Sequence, residues 1–356
     1  MNDLISRTSN ESIYMQIYYR LRQAILSGEI PEGAKLPSKR SLAEELGVSV
    51  ISVEHAYALL TDEGYARAKP RSGLYAAFGS DSVPPSRRAS LSDMSVNLSG
   101  AEDFPFSVWA KTMRNVLSTY DRGILTSCQG SGCLPLREAL ADYLYRSRSM
   151  RITPGQIVIG SGAEYLYSLV VQLLGNHCVF ALENPCYSKI RLVYEANGAS
   201  CELLTMGSDG ILSSELSACR ADALHITPFH SYPSGVTASA AKRHEYAVWA
   251  REHHSVIVED DYDSAFASLS RQIETVFSIA PEQVIYINTF SKLLAPAIRT
   301  GFMVLPRHML ELYQQKLGFY SCTVPVFEQL VLASFIEEGH MERYINRRKR
   351  KLRQKE

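Results

Sequence analysis

The chain has no surplus of charge: 37 Lys and Arg are matched by 37 Asp and Glu, for a formal net charge of zero at pH 7. That balance excludes a global basic field able to coat nucleic acid or a membrane surface, so any nucleic-acid contact must come from a local patch. Long apolar runs are missing as well. The longest, LVVQLLGNHCVFAL, is broken by Gly175, Asn176 and His177 and is too short to span a bilayer. The opening MNDLISRTSNES lacks the apolar core of a secretory signal. No CxxC pair occurs among the seven cysteines, which are scattered at 128, 133, 178, 186, 201, 219 and 322. Neither a zinc site nor a disulfide framework is expected, and a reducing cytoplasm is the simplest location. What remains is an ordinary globular composition, 46% hydrophobic and 21% charged over 356 residues. Such a length accommodates about two or three domains.

One stretch divides the chain. FGSDSVPPSRRASLSDMSV, residues 78–96, is rich in Ser, Pro and charge, shows no apolar period, and reads as a linker. The expected organisation is therefore a small domain over 1–77, the linker, and a larger domain over 97–356. In the small domain, Ile13, Ile17, Leu21 and Ile25 recur at four-residue spacing, which predicts one face of an amphipathic helix ending at Gly28. PEGAKLP reads as turn chemistry. Ser38 can cap a second helix, KRSLAEEL, with Gly47 just past its end. Ser49 can cap a third, VISVEHAYALLTDEG, expected to bury Val50, Val53, Tyr57 and Leu60. The short gap between these helices is a helix-turn-helix signature. YARAKPRSGLYAAF then alternates, placing Arg67, Lys69 and Arg71 on one side of a hairpin whose basic tip suits phosphates or a narrow minor groove. The bland alternative is a helical cap whose charges are merely solvated.

The run from LRQAILSGEIPEGAKLPSKR through GYARAKPRSG resembles, nearly end to end, the winged helix-turn-helix of GntR-family transcription regulators. The resemblance implies that Ser38 and Arg40 touch phosphates of double-stranded operator DNA, and that Ser49, Ile51, Ser52 and His55 face its major groove. Arg71, Ser72 and Gly73 would form the wing tip. The family often has Arg where this chain has Val50, which removes one phosphate or guanine contact.

Beyond the linker, short apolar strands (QIVIGSG, CVFALENP, ALHITPF, SVIVEDDY, QVIYINTF) alternate with helical segments. That pattern predicts an α/β domain built on a mostly parallel sheet, with ligand groups gathered where strands end and helices begin. At those edges, Gly160-Ser161-Gly162-Ala163 opens a helix whose exposed N–H groups favour a phosphate, although small residues at such turns commonly serve close packing. Tyr187 can lie flat on a ring or simply fill core. Glu259, Asp260, Asp261 and Asp263 crowd the end of a buried strand without a histidine, which favours an organic cation over a metal. Lys292, in YINTFSKLLAPAIRTGF, sits among apolar residues with Arg299 seven positions on. It either snorkels to water or serves as an amine nucleophile with desolvation disfavouring its charge. A lysine for an aldehyde, an aspartate for a ring N–H⁺, a tyrosine to stack, and a helix start with an arginine for a phosphate match pyridoxal 5′-phosphate taken together.

The order and context of these residues are similar to fold-type I aminotransferases over 97–356, and most of all to the aminotransferase-like domain of MocR-type regulators, which fuse it to a GntR winged helix. GSGAEYL, TPFHSYPSGVT, EDDYDSAF and TFSKLLAPAIRTGF carry that likeness. It implies that Lys292 holds the cofactor as a Schiff base, Asp260 keeps the pyridine nitrogen protonated, Tyr262 donates to the ring 3-hydroxyl and Tyr187 stacks on the ring. Gly162 and Ala163 N–H groups, Thr289 and Arg299 would hold the phosphate, and Tyr232 and His230 would line the ring edge. A homodimer is implied too. Two departures stand out. Ser127 occupies the place of a family tyrosine that reaches the partner's cofactor phosphate, within SCQGSGCLPLRE. The chain ends inside a basic helix, RYINRRKRKLRQKE, so the small C-terminal domain with its substrate-carboxylate arginine is expected to be missing. The basic run itself reads as a solvated face, a DNA contact or a truncation stump.

These readings converge on a DNA-binding transcription regulator that senses pyridoxal phosphate, or an amino-acid or amine effector, through the aldimine at Lys292. An aminotransferase with an appended DNA module is the alternative, and a product that binds DNA but no cofactor is a third.

Overall fold

The computed structural model describes residues 12–70, 72–77, 103–262, 264–266 and 274–354. The linker read over 78–96, the wing-tip Arg71 and the acidic Asp263 lie outside the described residues. The chain divides into two compact units, 1–97 and 98–356.

The first unit holds helices α1 (Ile13–Leu26), α2 (Lys39–Leu46) and α3 (Val50–Asp62), followed by a hairpin of β1 (Ala66–Lys69) and β2 (Gly73–Ala76). Local chemistry sets the helix starts. Ser38 Oγ accepts the Ser41 N–H at 3.1 Å and Ser49 Oγ accepts the Ser52 N–H at 3.1 Å, each satisfying an otherwise unpaired first-turn donor. Gly47 closes α2 in the left-handed region, at φ 62°, where a side chain would be strained. Ile17, Leu21 and Ile25 of α1 meet Val53, Ala56, Tyr57 and Leu60 of α3 in one small core. Val50 is not part of it. At the first position of α3 it is 42% exposed, because the buried stripe runs through Val53, Ala56, Tyr57 and Leu60 and leaves the opening residue on the flank. PEGAKLP does more than turn: Lys35 bridges Tyr75, the Leu36 N–H donates to Leu74 O at 2.8 Å, and the Ala76 N–H donates to Ala34 O at 2.9 Å. The segment thus lies along the free edge of β2.

The second unit is a seven-stranded sheet in the order β3-β9-β8-β7-β6-β4-β5. Its strands are β3 (Ile157–Gly160), β4 (Val179–Asn184), β5 (Ser200–Thr205), β6 (Ala223–Ile226), β7 (Val256–Asp260), β8 (Val284–Thr289) and β9 (Gly301–Val304). β5, β4, β6, β7 and β8 run parallel, while β9 pairs antiparallel with both β8 and β3. The five strands expected from apolar runs are all present. β5, an edge strand in which only Leu204 is buried and which therefore shows no apolar run, and β9, hidden behind the lysine stretch, complete the sheet. Period-two alternation splits the core. Val158, Phe180, Leu182, Val258, Ile285 and Ile287 face α6 (Ala163–Leu174) and α7 (Ser188–Ala196). Ile157, Ala181, Leu224, Ile257, Tyr286 and Val304 face the other side. There they meet α5 (Leu134–Arg148), α9 (Ala240–Glu252), α13 (Val326–Glu337) and α14 (His340–Arg353). The unit also holds α4 (Phe106–Tyr120), α8 (Ser213–Ala218), α10 (Val276–Ile279) and α12 (Leu310–Leu317). Both faces are covered, as a largely parallel sheet requires. The basic α14 buries Met341, Tyr344 and Ile345, Arg347 donates to Asp103 O at 3.1 Å, and Lys351 pairs with the Asp103 carboxylate. No helix among the described residues is long and apolar enough to cross a membrane.

Candidate functional site

A cavity of about 380 Å³ opens at the C-terminal ends of the parallel strands. Its base comes from β7, which ends at Asp260, and from β8, which ends at Thr289; both side chains are buried. Ala163 enters from the first turn of α6, and Tyr187 from the start of α7. Lys292 enters from the short helix α11 (Phe290–Leu293), with Tyr232, Tyr262 and Arg299 on the remaining walls. Strand ends and helix starts converge there because every parallel crossover returns to the same edge of the sheet.

The acidic triplet shows how the strand sorts its side chains. Asp260 faces the cavity. Its Oδ2 accepts from the Tyr167 hydroxyl, whereas its Oδ1 is buried with no hydrogen-bond partner among the described residues. Burial pushes this carboxyl up to about 7, with the Tyr167 bond pulling it down and the Asp261 charge adding to the rise. Glu259 and Asp261 point through the opposite face. Glu259 accepts the Val276 and Phe277 N–H groups at 3.0 and 2.7 Å, and burial raises it to about 8. Asp261 accepts from Tyr286 Oη at 2.6 Å and pairs with Arg148 at 3.2 Å. Three adjacent carboxylates therefore serve three separate partners, and among the described residues no group of three His, Cys, Asp or Glu gathers as a metal site would require.

Lys292 differs from the desolvated amine anticipated from its neighbours. Phe290, Leu293 and Leu294 turn into the core while Lys292 itself is exposed on the cavity wall. One turn of helix suffices to separate them: the apolar flanks are the anchor and the ammonium is the tip. Its Nζ lies 4.4 Å from the centroid of the Tyr262 ring, a cation–π geometry. The Tyr262 hydroxyl donates to His230 O at 2.9 Å, so it is engaged by backbone in this structure. His230 contributes that carbonyl rather than its ring, which is not on the cavity wall. Tyr187 and Tyr232 stand edge to face, with centroids 6.0 Å apart.

At the phosphate end the expected Gly162 N–H is already spent on Gly160 O at 2.9 Å. The first intrahelical bond of α6 runs from Leu166 N–H to Gly162 O, so the N–H groups of Ala163, Glu164 and Tyr165 lead the helix. Gly162 is needed for a different reason: at φ 101°, any Cβ would come within 3.1 Å of the Arg299 guanidinium. Arg299 reaches Glu164 Oε2 and Ser291 Oγ, each at 3.5 Å, and Lys189 holds Glu164 Oε1 at 2.9 Å. A carboxylate at the helix start occupies the electrostatic position an anion would take.

Reading the sequence missed Tyr167, Glu164, Ser291 and Thr227, all on the cavity wall. Tyr167 carried a usable signal, since a tyrosine inside the apolar run AEYLYSLVVQLL must find a partner for its hydroxyl once buried. His225, beneath the same tyrosine, accepts or donates at Nδ1 to Tyr194 Oη, 2.7 Å away, and burial lowers it to about 3.

In the N-terminal unit, Ser38, Arg40, Ser49, Ile51, His55, Ser72 and Gly73 are exposed, and Ser52 is half-buried. Lys69 Nζ lies 4.5 Å over the Tyr75 ring, whose hydroxyl meets Ser72 Oγ at 2.6 Å. His55 packs edge-on to Tyr14, at 5.8 Å.

Comparison with known proteins divides the chain in the same two parts. Residues 13–75 match the gntR family of bacterial regulatory proteins and residues 93–355 match aminotransferase class I and II. The uncharacterized HTH-type transcriptional regulator YdeL of Bacillus subtilis is 32% identical over 99% of this chain and 79% of its own length. The chain belongs to the MocR-type GntR regulators. Other MocR-type relatives include the pyridoxine biosynthesis regulator PdxR of Corynebacterium glutamicum, 27% identical over 95% of this chain and 76% of its own. The probable rhizopine catabolism regulatory protein MocR of Rhizobium meliloti is 26% identical over 98% and 76%. Among solved structures, an archaeal alanine:glyoxylate aminotransferase superposes with a TM-score of 0.62 at 23% identity. It covers 68% of this regulator and 62% of that enzyme, so the chain spans less than two thirds of the enzyme's length, and the likeness shows the fold. The α/β unit is thus an aminotransferase fold of type I, a family in which the fold implies dependence on pyridoxal phosphate, and GntR regulators bind operator DNA.

Proposed function

We propose that this regulator holds pyridoxal 5′-phosphate in the cavity at the strand ends and uses it to sense an amino acid or amine, while its N-terminal unit reads an operator as part of a homodimer. The single observation that carries the reading is Asp260 Oδ1, a buried and unpartnered acceptor at the cavity base. A buried carboxylate oxygen in want of a donor fits a protonated ring nitrogen, which would supply both the hydrogen bond and the charge. When bound, the cofactor supplies an aldehyde that captures amines and a ring that withdraws electrons.

The chain's own residues provide the rest. Lys292 and Asp260 line the same cavity, so the amine would meet the aldehyde while the carboxylate meets the ring nitrogen. Tyr187 and Tyr232 supply faces and edges for it, and Tyr262 stands beside Lys292 within reach of a ring hydroxyl. Ala163 and Glu164 N–H groups with Thr289, Ser291 and Arg299 suit the phosphate, Glu164 releasing Arg299 as the anion arrives. Arg40, Ser38 and the wing residues Arg71, Ser72 and Gly73 would meet DNA phosphates, and Ser49, Ile51, Ser52 and His55 the base edges. Effector binding can alter operator affinity only to the extent that two arrangements of the protein bind it unequally.

The test is direct. The full chain is incubated with pyridoxal phosphate, reduced with borohydride and mapped by mass spectrometry. A phosphopyridoxyl mass on Lys292, absent after Lys292→Ala, is the expected result. A folded protein that carries the mass elsewhere, or nowhere, removes the sensing half of the reading.

A further inference from the structure

The stretch SCQGSGCLPLRE, where the chain departs from its relatives' tyrosine motif, folds against Cys322, far along the sequence. Gln329, fully buried in the first turns of α13, holds the two together. Its Oε1 accepts the Cys133 N–H at 2.7 Å; its Nε2 donates to Val324 O at 2.8 Å and lies 3.4 Å from Cys322 Sγ and 3.5 Å from Cys128 Sγ. The Cys128 and Cys322 sulfurs thus lie against the same amide nitrogen, whereas Cys133 meets Gln329 through its backbone N–H.

Such crowding depends on backbone approach. Gly130 lies so close to Tyr320 O that a Cβ would collide with it. Gly132, at φ 95°, would place a Cβ 2.5 Å from Ile159 Cγ1 and 2.9 Å from Gln329 Oε1. Ser131 O accepts the Ile159 N–H at 3.0 Å, and Cys322 Sγ lies 3.7 Å from Ile159 O. Ser131, three residues after Cys128, and Cys322 therefore flank the strand residue that precedes the Gly160–Gly162 turn of the cavity. Cys128 and Cys322 are partly exposed, whereas Cys133 is buried. Burial pushes the Cys133 thiol up to about 12 and the Cys322 thiol up to about 11, so neither is ionised near neutral pH.

We infer that Cys128 and Cys322 form a two-electron oxidation site that closes to a disulfide on meeting a peroxide or a small-molecule disulfide. With hydrogen peroxide, the Cys128 sulfur takes one oxygen as a sulfenic acid and one water leaves. The Cys322 thiol then attacks that sulfur, the S–S bond forms and the second water departs. Two S–H bonds are lost, and the peroxide O–O bond accepts the two electrons. A small-molecule disulfide reaches the same product by two exchange steps, releasing two thiols. Two thiols that share one amide nitrogen are near neighbours, so closing to an S–S separation of about 2.05 Å is a local movement. Closure ties the 128–133 segment to the one preceding α13, across β3. Nothing in this chemistry requires the cofactor, so its outcome is separable from the sensing reading.

The full chain is treated with hydrogen peroxide or oxidised glutathione, digested without reductant and mapped by mass spectrometry. A Cys128–Cys322 peptide that dithiothreitol separates is expected, with two of the seven thiols lost to titration in the folded protein. Cys133→Ser should keep the cross-link, and Cys128→Ser or Cys322→Ser should abolish it. A Cys128–Cys133 peptide instead, only intermolecular bonds, or both cysteines recovered as thiols or higher oxides would overturn the inference. The unsubstituted chain alone decides the matter, so a variant that folds poorly leaves the test intact.

Discussion

The groups assigned to a ligand in the N-terminal unit stand in solvent, Arg40, Ser49, Ile51 and His55 among them. Those at the base of the α/β cavity do not: Asp260 and Thr289 are buried, and so is Tyr167 beneath the first of them. The difference matters for how each unit gains affinity. Exposed side chains opposite phosphates each contribute modestly, through counterion release that salt suppresses. Buried polar groups are few, weakly screened and costly to leave unmatched, so a single alteration there is felt in full. One unit should lose function by degrees and the other abruptly.

The largest effect expected after loss of Lys292 comes from Asp260→Asn. Removing the buried carboxylate while keeping its shape should weaken retention of pyridoxal phosphate on the order of a hundredfold, read by dialysis and absorbance. Retention within a few-fold of the unsubstituted protein would mean that the ring nitrogen does not meet this residue.

Next in size is a pH effect on the protein without cofactor. Glu183 and Asp260 are raised to about 7 and Glu259 to about 8, burial being the leading cause in each. Each holds a proton in the folded state between the ordinary carboxyl range and its raised value, where the unfolded chain has released it. Stability is therefore greatest below that window and is lost as pH rises through it, by up to about 1.4 kcal/mol per pH unit for each group. The melting temperature should fall between about pH 4.5 and about pH 8, and Glu183→Gln should flatten the fall. A curve that rises over the same interval would contradict the burial argument.

Smaller changes are expected in the N-terminal unit. Arg40→Ala should weaken duplex binding up to about tenfold and reduce the slope of log affinity against log salt by about 0.9, measured by fluorescence anisotropy. An unchanged slope would take Arg40 off the phosphates. The least effect, a few-fold, should follow Val50→Arg, which restores a cation at the start of α3 and steepens that slope. A steeper slope without any gain in affinity would show that the added charge meets only solvent.

How much of this was legible in the sequence follows the range of the interactions. The helix-turn-helix could be read because its signals are local: Ser38 and Ser49 cap the helices they precede, and Gly47 ends the one between. The aminotransferase strands were legible as apolar runs, and four short motifs pointed to Ala163, Tyr232, Asp260, Tyr262, Thr289, Lys292 and Arg299, which line one cavity. What escaped was set by distant partners. Lys35 docks on a strand 40 positions later, at Tyr75, because an open hairpin edge needs pairing. Val50 was expected in the core and Lys292 desolvated for one reason: neighbours in sequence indicate hydrophobicity, but a helical turn decides which of them faces inward. Cysteines scattered without a spacing motif gave no hint that Cys128, Cys133 and Cys322 meet at one glutamine.

The sorting of Glu259, Asp260 and Asp261 by alternate strand faces has a consequence for how this regulator can diverge. Deleting one residue within β7 would leave all three acids in the gene yet rotate each to the opposite side, presenting a helix-capping glutamate or an arginine-paired aspartate to the cavity. Parity, as much as composition, selects the acid that serves the site, so a one-residue shift of strand phase there is as damaging as replacing Asp260 itself.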